Sequence, residues 1–117
     1  MPSTNYNYTP ATEEWAYRWS TCWRCGRRGV WPAELTIHHF VRGTSKRKND
    51  LRTTTILCYD CHWREHNADA LGLIRMLARK KIFDPANYDL VAVCRLRYRA
   101  DTAITESEVQ AEVEKLR

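Results

Sequence analysis

With 117 residues the chain has room for one modest domain and not for two full cores. A hydrophobic share of 44% beside 28% charged residues, with a formal net charge of +5, leaves a core that a metal staple would help and favours an anionic, phosphate-rich partner. No run approaches the roughly 18 apolar residues of a membrane span, and polar Met1–Trp15 has no secretion-signal pattern, so no membrane and a cytoplasmic location are expected.

Residues 1–12 read as a flexible N-terminal arm, residues 13–83 as the main domain, and residues 84–117 as a C-terminal extension ending in a helix. Trp15 and Trp19 share one face of any helix over Glu13–Trp23. Their expected role is core cover, with a stacking surface for bases as the other reading. Cys22-Trp23-Arg24-Cys25-Gly26 reads as a metal knuckle, Gly26 permitting the tight turn. Leu35 and Ile37 alternate with Thr36 and His38, which predicts a strand over Glu34–His39. Phe40–Arg52 reads as a basic loop, with Arg42, Lys46, Arg47, Lys48 and Arg52 set against Asp50. Such a run is either a solvated loop or a phosphate grip.

Thr53–Leu57 is β-branched and predicts a second strand. A helix should follow with Asp60 as its N-cap, placing His62 and His66 one turn apart on one face. A further helix is predicted from a stripe of Leu71, Ile74, Leu77 and Ala78, stopped at Asp84-Pro85. Cys94, Leu96 and Tyr98 alternate with Arg95, Arg97 and Arg99, which fits a strand or a basic helix. Cys94 itself reads as a small buried residue. Thr105 and Glu108 form a capping-box pattern ahead of Val109, Val113 and Leu116. This acidic last helix is expected to solubilise the chain.

Two Cys-x-x-Cys pairs, Cys22/Cys25 and Cys58/Cys61, bracket His38-His39 and run into His62 and His66. In a reducing compartment such pairs bind metal more often than they form disulfides. Four thiolates close a structural zinc site, whereas imidazoles remaining nearby suit a second, more open ion. A zinc set of Cys22, Cys25, Cys61 and His62 is the rival division.

The order of strand with His-His, basic loop, strand, and helix with His-x-x-x-His resembles the HNH endonucleases, the ββα-metal or His-Me finger family. The separations of His38, His62 and His66 are similar to those of colicin nuclease domains and many phage HNH proteins, and the paired cysteines resemble the zinc-stabilised, phage-type branch. The resemblance implies an α+β fold: a small ββα-metal domain with a four-cysteine structural zinc and flanking helices. It implies His39 as general base, and His38, His62 and His66 as ligands of a catalytic divalent ion. The rival assignment exchanges the two, with His39 as ligand and His38 structural. Adjacent strand residues point to opposite faces, so a division of labour is physically expected. The family's middle Asn falls where Thr53 stands, with Asn49 four residues earlier. Either is the expected loop-orienting residue.

The implied activity is metal-dependent hydrolysis of phosphodiester bonds in DNA, double-stranded and read with weak sequence preference. Arg42, Lys46, Arg47, Lys48 and Arg64 are the expected phosphate contacts. Three imidazoles favour Zn²⁺, Ni²⁺ or Mn²⁺ over Mg²⁺, which prefers oxygen ligands. Small proteins of this kind occur in phages and mobile elements, some beside terminase, so a bacterial host cell and a protein partner of that type are implied. A non-catalytic zinc-binding nucleic-acid module is the alternative from another class, and an RNA-directed or toxin-type nuclease would share the same site.

Overall fold

A computed structural model describes residues 8–41, 48–66, 69–96 and 104–116. The first helix, α1, spans Pro10–Tyr17. Thr9 caps it by accepting from the Thr12 amide at 3.3 Å, and Pro10 sits where a missing N–H costs nothing. Residues 10–12, expected to lie in a loose arm, are therefore its first turn. Trp15 is buried from this helix, edge-on to Trp19 and Trp23 at 6.0 and 6.1 Å.

Strands β1, Leu35–His39, and β2, Thr54–Cys58, pair antiparallel. The register sets His38 opposite Thr55 and His39 opposite Thr54. A lone two-stranded ribbon is marginal in water, and here both faces are covered, since nearly every strand residue is buried. β2 starts one residue later than the sequence predicts. Thr53 instead ends a short 3-10 turn over Leu51–Thr53, because the Asp50 carboxylate accepts from the Arg52 amide at 3.1 Å and the Asp50 carbonyl takes both the amide and the hydroxyl of Thr53.

Helix α2, Tyr59–Glu65, leaves β2 directly. Its N-cap is Cys58, whose Sγ accepts from the Cys61 amide at 3.5 Å. Asp60, the expected cap, lies in the first turn and faces Arg64 at 3.8 Å. Helix α3, Ala70–Phe83, follows with Asp69 as N-cap and Asp84 as C-cap. Its buried face is Leu73, Met76, Leu77, Ala78 and Lys80, whereas Leu71, expected in the stripe, is 44% exposed. Helix α4, Leu90–Leu96, resolves the strand-or-helix alternative in favour of a helix. Residues Arg97, Tyr98 and Arg99 lie outside the described residues. Cys94 is half-buried, and its thiol donates to the Ile104 carbonyl at 3.7 Å.

Helix α5, Glu106–Leu116, is capped as the sequence predicts. The Thr105 amide donates to Glu108 at 3.0 Å and the Glu108 amide to Thr105 Oγ1 at 3.2 Å. It does more than solubilise. Val109 and Val113 are buried with Leu73 and Leu77 of α3, and Arg75–Glu112 and Lys81–Glu106 tie the two helices at 3.1 and 2.6 Å.

Two apolar clusters result. One gathers Trp15, Trp23, Trp31 and the strand residues around the cysteines; the other gathers α3, α4 and α5. Helix α3 serves both, giving Met76 to the first and Leu77 to the second. A buried charge pair accompanies them that no pattern in the sequence announces. The Lys80 ammonium is fully buried and donates to Asp84 Oδ2 at 2.9 Å, while the Trp15 indole donates to the same oxygen at 2.9 Å. The same ammonium lies 4.8 and 5.5 Å from the Trp15 and Trp23 rings. Among the described residues no helix is long and apolar enough to cross a membrane.

Candidate active site

The first element of the site is the cysteine cluster. One ligand atom from each of Cys22, Cys25, Cys58 and Cys61 lies within 4.8 Å of the others. Gly26 takes φ +78 and its amide donates to the Cys22 carbonyl at 3.0 Å, closing the knuckle. The backbone is already arranged for thiolates: the Arg24 and Cys25 amides face Cys22 Sγ at 3.4 and 3.5 Å, as the Cys61 amide faces Cys58 Sγ. Burial pushes the Cys61 thiol up to about 12, with the Arg24 guanidinium opposing that rise. Thiols packed this closely cannot all ionise without a cation among them, so the donor set fits a closed, structural metal site.

Arg24 ties this cluster to the histidine helix. Its Nη1 donates to Cys61 Sγ at 3.6 Å, and its Nε pairs with Glu65 at 3.0 Å. Glu65 also meets Arg79 of α3 at 3.8 Å. Glu65 immediately precedes His66, so this arginine beside the cysteine cluster helps fix where α2 ends.

The second element is the histidine group. Thr36 and His38 lie two apart on β1 and so share a face. His38 meets His62 of α2, ring centroids 4.8 Å apart at 81°. His62 Nδ1 lies 3.2 Å from Thr36 Oγ1; when Nδ1 donates there, Nε2 is the lone-pair nitrogen. His38 Nδ1 is buried with no hydrogen-bond partner. Burial, aided by the neighbouring imidazoles, lowers His38 to about 3 and His62 to about 4, so both rings are neutral at pH 7 and keep their lone pairs. A buried, unpartnered ring nitrogen beside a second neutral imidazole fits a divalent ion.

His66 stands at the C-cap of α2, its ring centroid 6.1 Å from that of His62. Two imidazoles on one ion, with metal–nitrogen bonds of about 2.1 Å, have centroids about 4.5–6.5 Å apart, depending on the angle at the ion. The His38–His62 pair meets this near a right angle, and His66 lies at the wide end. Among the described residues, the cysteines are the one group of three or more ligands that converges tightly.

His39 is directed elsewhere. Its Nε2 lies 2.9 Å from the Lys48 carbonyl, and Tyr8 stacks on its ring at 6.2 Å and 11°. In the tautomer that donates to Lys48, Nδ1 carries the basic lone pair. Burial lowers the His39 pKa, and the Lys48 carbonyl opposes the shift.

Thr53 is fully buried, its hydroxyl donating to the Asp50 carbonyl at 2.9 Å and its own carbonyl accepting from the Phe40 amide at 3.0 Å. It thus holds the loop end against the exit of β1, next to His39. Asn49 Oδ1 instead accepts from the Thr9 amide at 2.9 Å and ties down the start of α1. Arg64 is 64% exposed on α2. Arg42, Lys46 and Arg47 lie outside the described residues. Thr36, the Lys48 carbonyl, Tyr8 and the Arg24–Glu65–Arg79 chain were missed from the sequence. Only Thr36 carried a signal, through its spacing from His38.

Residues 22–68 match the sequence model of the HNH endonuclease family. The match places an HNH endonuclease domain at residues 22–68. No curated protein and no solved structure matches it. The matched segment holds both cysteine pairs and all four histidines. Residues beyond it still build the core around this segment, since Met76 of α3 joins Ile56 and Leu57 in the first cluster and its sulfur accepts from Thr55 Oγ1 at 3.6 Å. The family is one of nucleases, and its two-stranded sheet, α2 and cysteine cluster form the mixed α+β unit expected of a ββα-metal fold.

Proposed function

We propose that this HNH domain hydrolyses phosphodiester bonds in duplex DNA, with weak sequence preference and dependence on a divalent ion. The observation that carries the reading is the divergence of the two adjacent histidines. His38 turns to His62 at 4.8 Å, while His39 is held by the Lys48 carbonyl at 2.9 Å. One environment suits a ligand and the other suits a base.

In this reading His38, His62 and His66 would hold the catalytic ion and Cys22, Cys25, Cys58 and Cys61 a structural zinc. The catalytic ion would supply Lewis-acid neutralisation of the phosphate and a template for its oxygens. Zn²⁺, Ni²⁺ and Mn²⁺ suit the imidazoles better than Mg²⁺. His39 Nδ1 takes a proton from the attacking water, and the Lys48 carbonyl then holds Nε2–H and stabilises the imidazolium. Its lowered pKa keeps the base neutral at pH 7. Thr53 acts through the loop, holding the chain that carries Lys48, and Asn49 acts on the arm. Arg64, with Arg42, Lys46, Arg47 and Lys48, would contact backbone phosphates, which positions the duplex without reading it.

The two cysteine pairs support placement in the zinc-stabilised phage-type branch, acting in a bacterial cytoplasm with a packaging partner such as terminase. The test is nicking of supercoiled plasmid by protein cleared of loosely held ions and resupplied with Mg²⁺, Mn²⁺, Ni²⁺ or Zn²⁺, beside His62→Ala. Ion-dependent nicking that a folded His62→Ala loses supports the proposal. A folded, metal-loaded wild type that binds DNA yet stays inactive with every ion would favour the non-catalytic module.

A further inference from the structure

The domain has five Trp residues, and four of them serve the fold. Trp15, Trp23 and Trp31 are buried, and Trp19 packs half-buried against the same cluster. Trp63 is 78% exposed. It lies on α2 between His62 and Arg64, and its ring stacks on His66 at 6.0 Å and 22°. The charged side chains around it on α2, Asp60 and Arg64, are themselves about two-thirds exposed. An apolar protein partner requires a contiguous apolar patch. A single large ring set among charges, beside an arginine, instead matches the alternation of flat base and anionic phosphate in a nucleic-acid strand.

We infer that Trp63 is a base-stacking contact, taking the face of an unstacked nucleobase next to the phosphate that the histidines address. The inference rests on reading this site as a nucleic-acid site. The indole and the His66 imidazole lie 6.0 Å apart, so a strand whose phosphate reaches His66 brings an adjoining base within reach of the indole. Stacking needs the base out of its duplex stack, so the preferred substrate has a frayed, gapped or single-stranded position at the cut. Trp63 would then set substrate preference without taking part in the bond-breaking step.

The test is binding measured by fluorescence anisotropy. The zinc-loaded protein carries His39→Ala to block cleavage, and the probes are a dT16 strand and an abasic tetrahydrofuran strand of the same length. Trp63→Ala should weaken dT16 binding by about 5- to 100-fold and leave abasic binding nearly unchanged, and Trp63→Phe should retain most of the affinity. Intrinsic tryptophan fluorescence should be quenched by dT16 in the parent and not in Trp63→Ala. Because Trp63 is exposed, both variants should melt with the parent. Equal affinity of parent and Trp63→Ala for dT16 overturns the inference. So does an equal loss on both strands, which would make the contact one to the backbone. Base-dependent binding through Trp63 in a protein whose wild type never cleaves leaves the inference standing and removes the hydrolase proposal. A parent that binds neither strand removes both.

Discussion

Replacing Lys80 by methionine keeps most of the side-chain volume and removes one buried charge. In the wild type the ammonium donates to Asp84 at 2.9 Å and lies 4.8 Å from the Trp15 ring. Removing one partner of a buried pair costs about 3–5 kcal/mol, because the other charge is left uncompensated. Trp15 Nε1 and Asn87 Nδ2 still donate to the Asp84 carboxylate, at 2.9 and 3.0 Å. They bring the loss toward the lower end, about 3 kcal/mol. At about 3–5 °C per kcal/mol for a domain of this size, the melting temperature should fall by about 10–15 °C. Lys80→Met with Asp84→Asn should recover most of that loss, since no charge is then stranded. The sign with pH is also fixed. Burial lowers Lys80 to about 8 against the pull of Asp84. The unfolded chain therefore binds more protons between about pH 8 and 10.5, and this group adds stability as the pH rises through that window. Tyr88, whose phenol burial and the bond to Glu106 push well above its ordinary range, acts the other way in both proteins, so the quantity to read is the difference between wild type and Lys80→Met. That gap should widen from pH 8 to pH 10. Thermal melts followed by circular dichroism measure it. A single variant that melts within a degree or two of wild type, or a gap that narrows with pH, would refute the account of the pair.

Cys58→Ser should abolish folding, because structural zinc contributes about 10–16 kcal/mol in zinc-finger peptides, as much as a domain's whole stability. Serine is itself a good N-cap, so the loss would report the metal rather than the start of α2; zinc content and a melt decide it, and a Cys58→Ser protein with wild-type stability contradicts the role. Thr105→Ala breaks the capping box with Glu108 and should cost about 1 kcal/mol, read as a lower melting temperature; an unmoved transition would mean that α5 is held by its packing alone. Arg64→Ala should weaken duplex binding across sequences and flatten the salt dependence by about 0.9 in log–log slope, and the Lys46/Arg47/Lys48 triple alanine variant by about three times that. Titrations at several salt concentrations measure this, and unchanged slopes would remove these residues from the phosphate interface.

The ββα order, the Gly26 turn, the four-cysteine cluster and the Thr105–Glu108 box were legible because each rests on local spacing or on a residue type with one dominant use. The elements misplaced were those whose cause is tertiary. Cys58 caps α2 because its sulfur is already drawn into the cysteine cluster, which displaces Asp60 from that role. Leu71 and Leu73 are equally apolar, and only the arrival of α5 decides that Leu73 is covered. Lys80 falls on the buried face of α3 because Asp84, one turn later, and the indole of Trp15, on a distant helix, meet it there. In the site, the opposite directions taken by His38 and His39 follow from strand alternation. The partner that holds His39 is a backbone carbonyl, which no side-chain pattern announces. Asn49 fits the loop by type, yet it faces Thr9, because the start of α1 folds back onto that turn.

The central claim, that His39 is the base of a phosphodiester hydrolase, meets its most direct test in plasmid nicking by wild type and His39→Ala, purified identically and supplied with the same divalent ion. The account predicts ion-dependent nicking by wild type that falls to background in a His39→Ala protein with unchanged melting temperature and metal content. Equal nicking by the two proteins would contradict it.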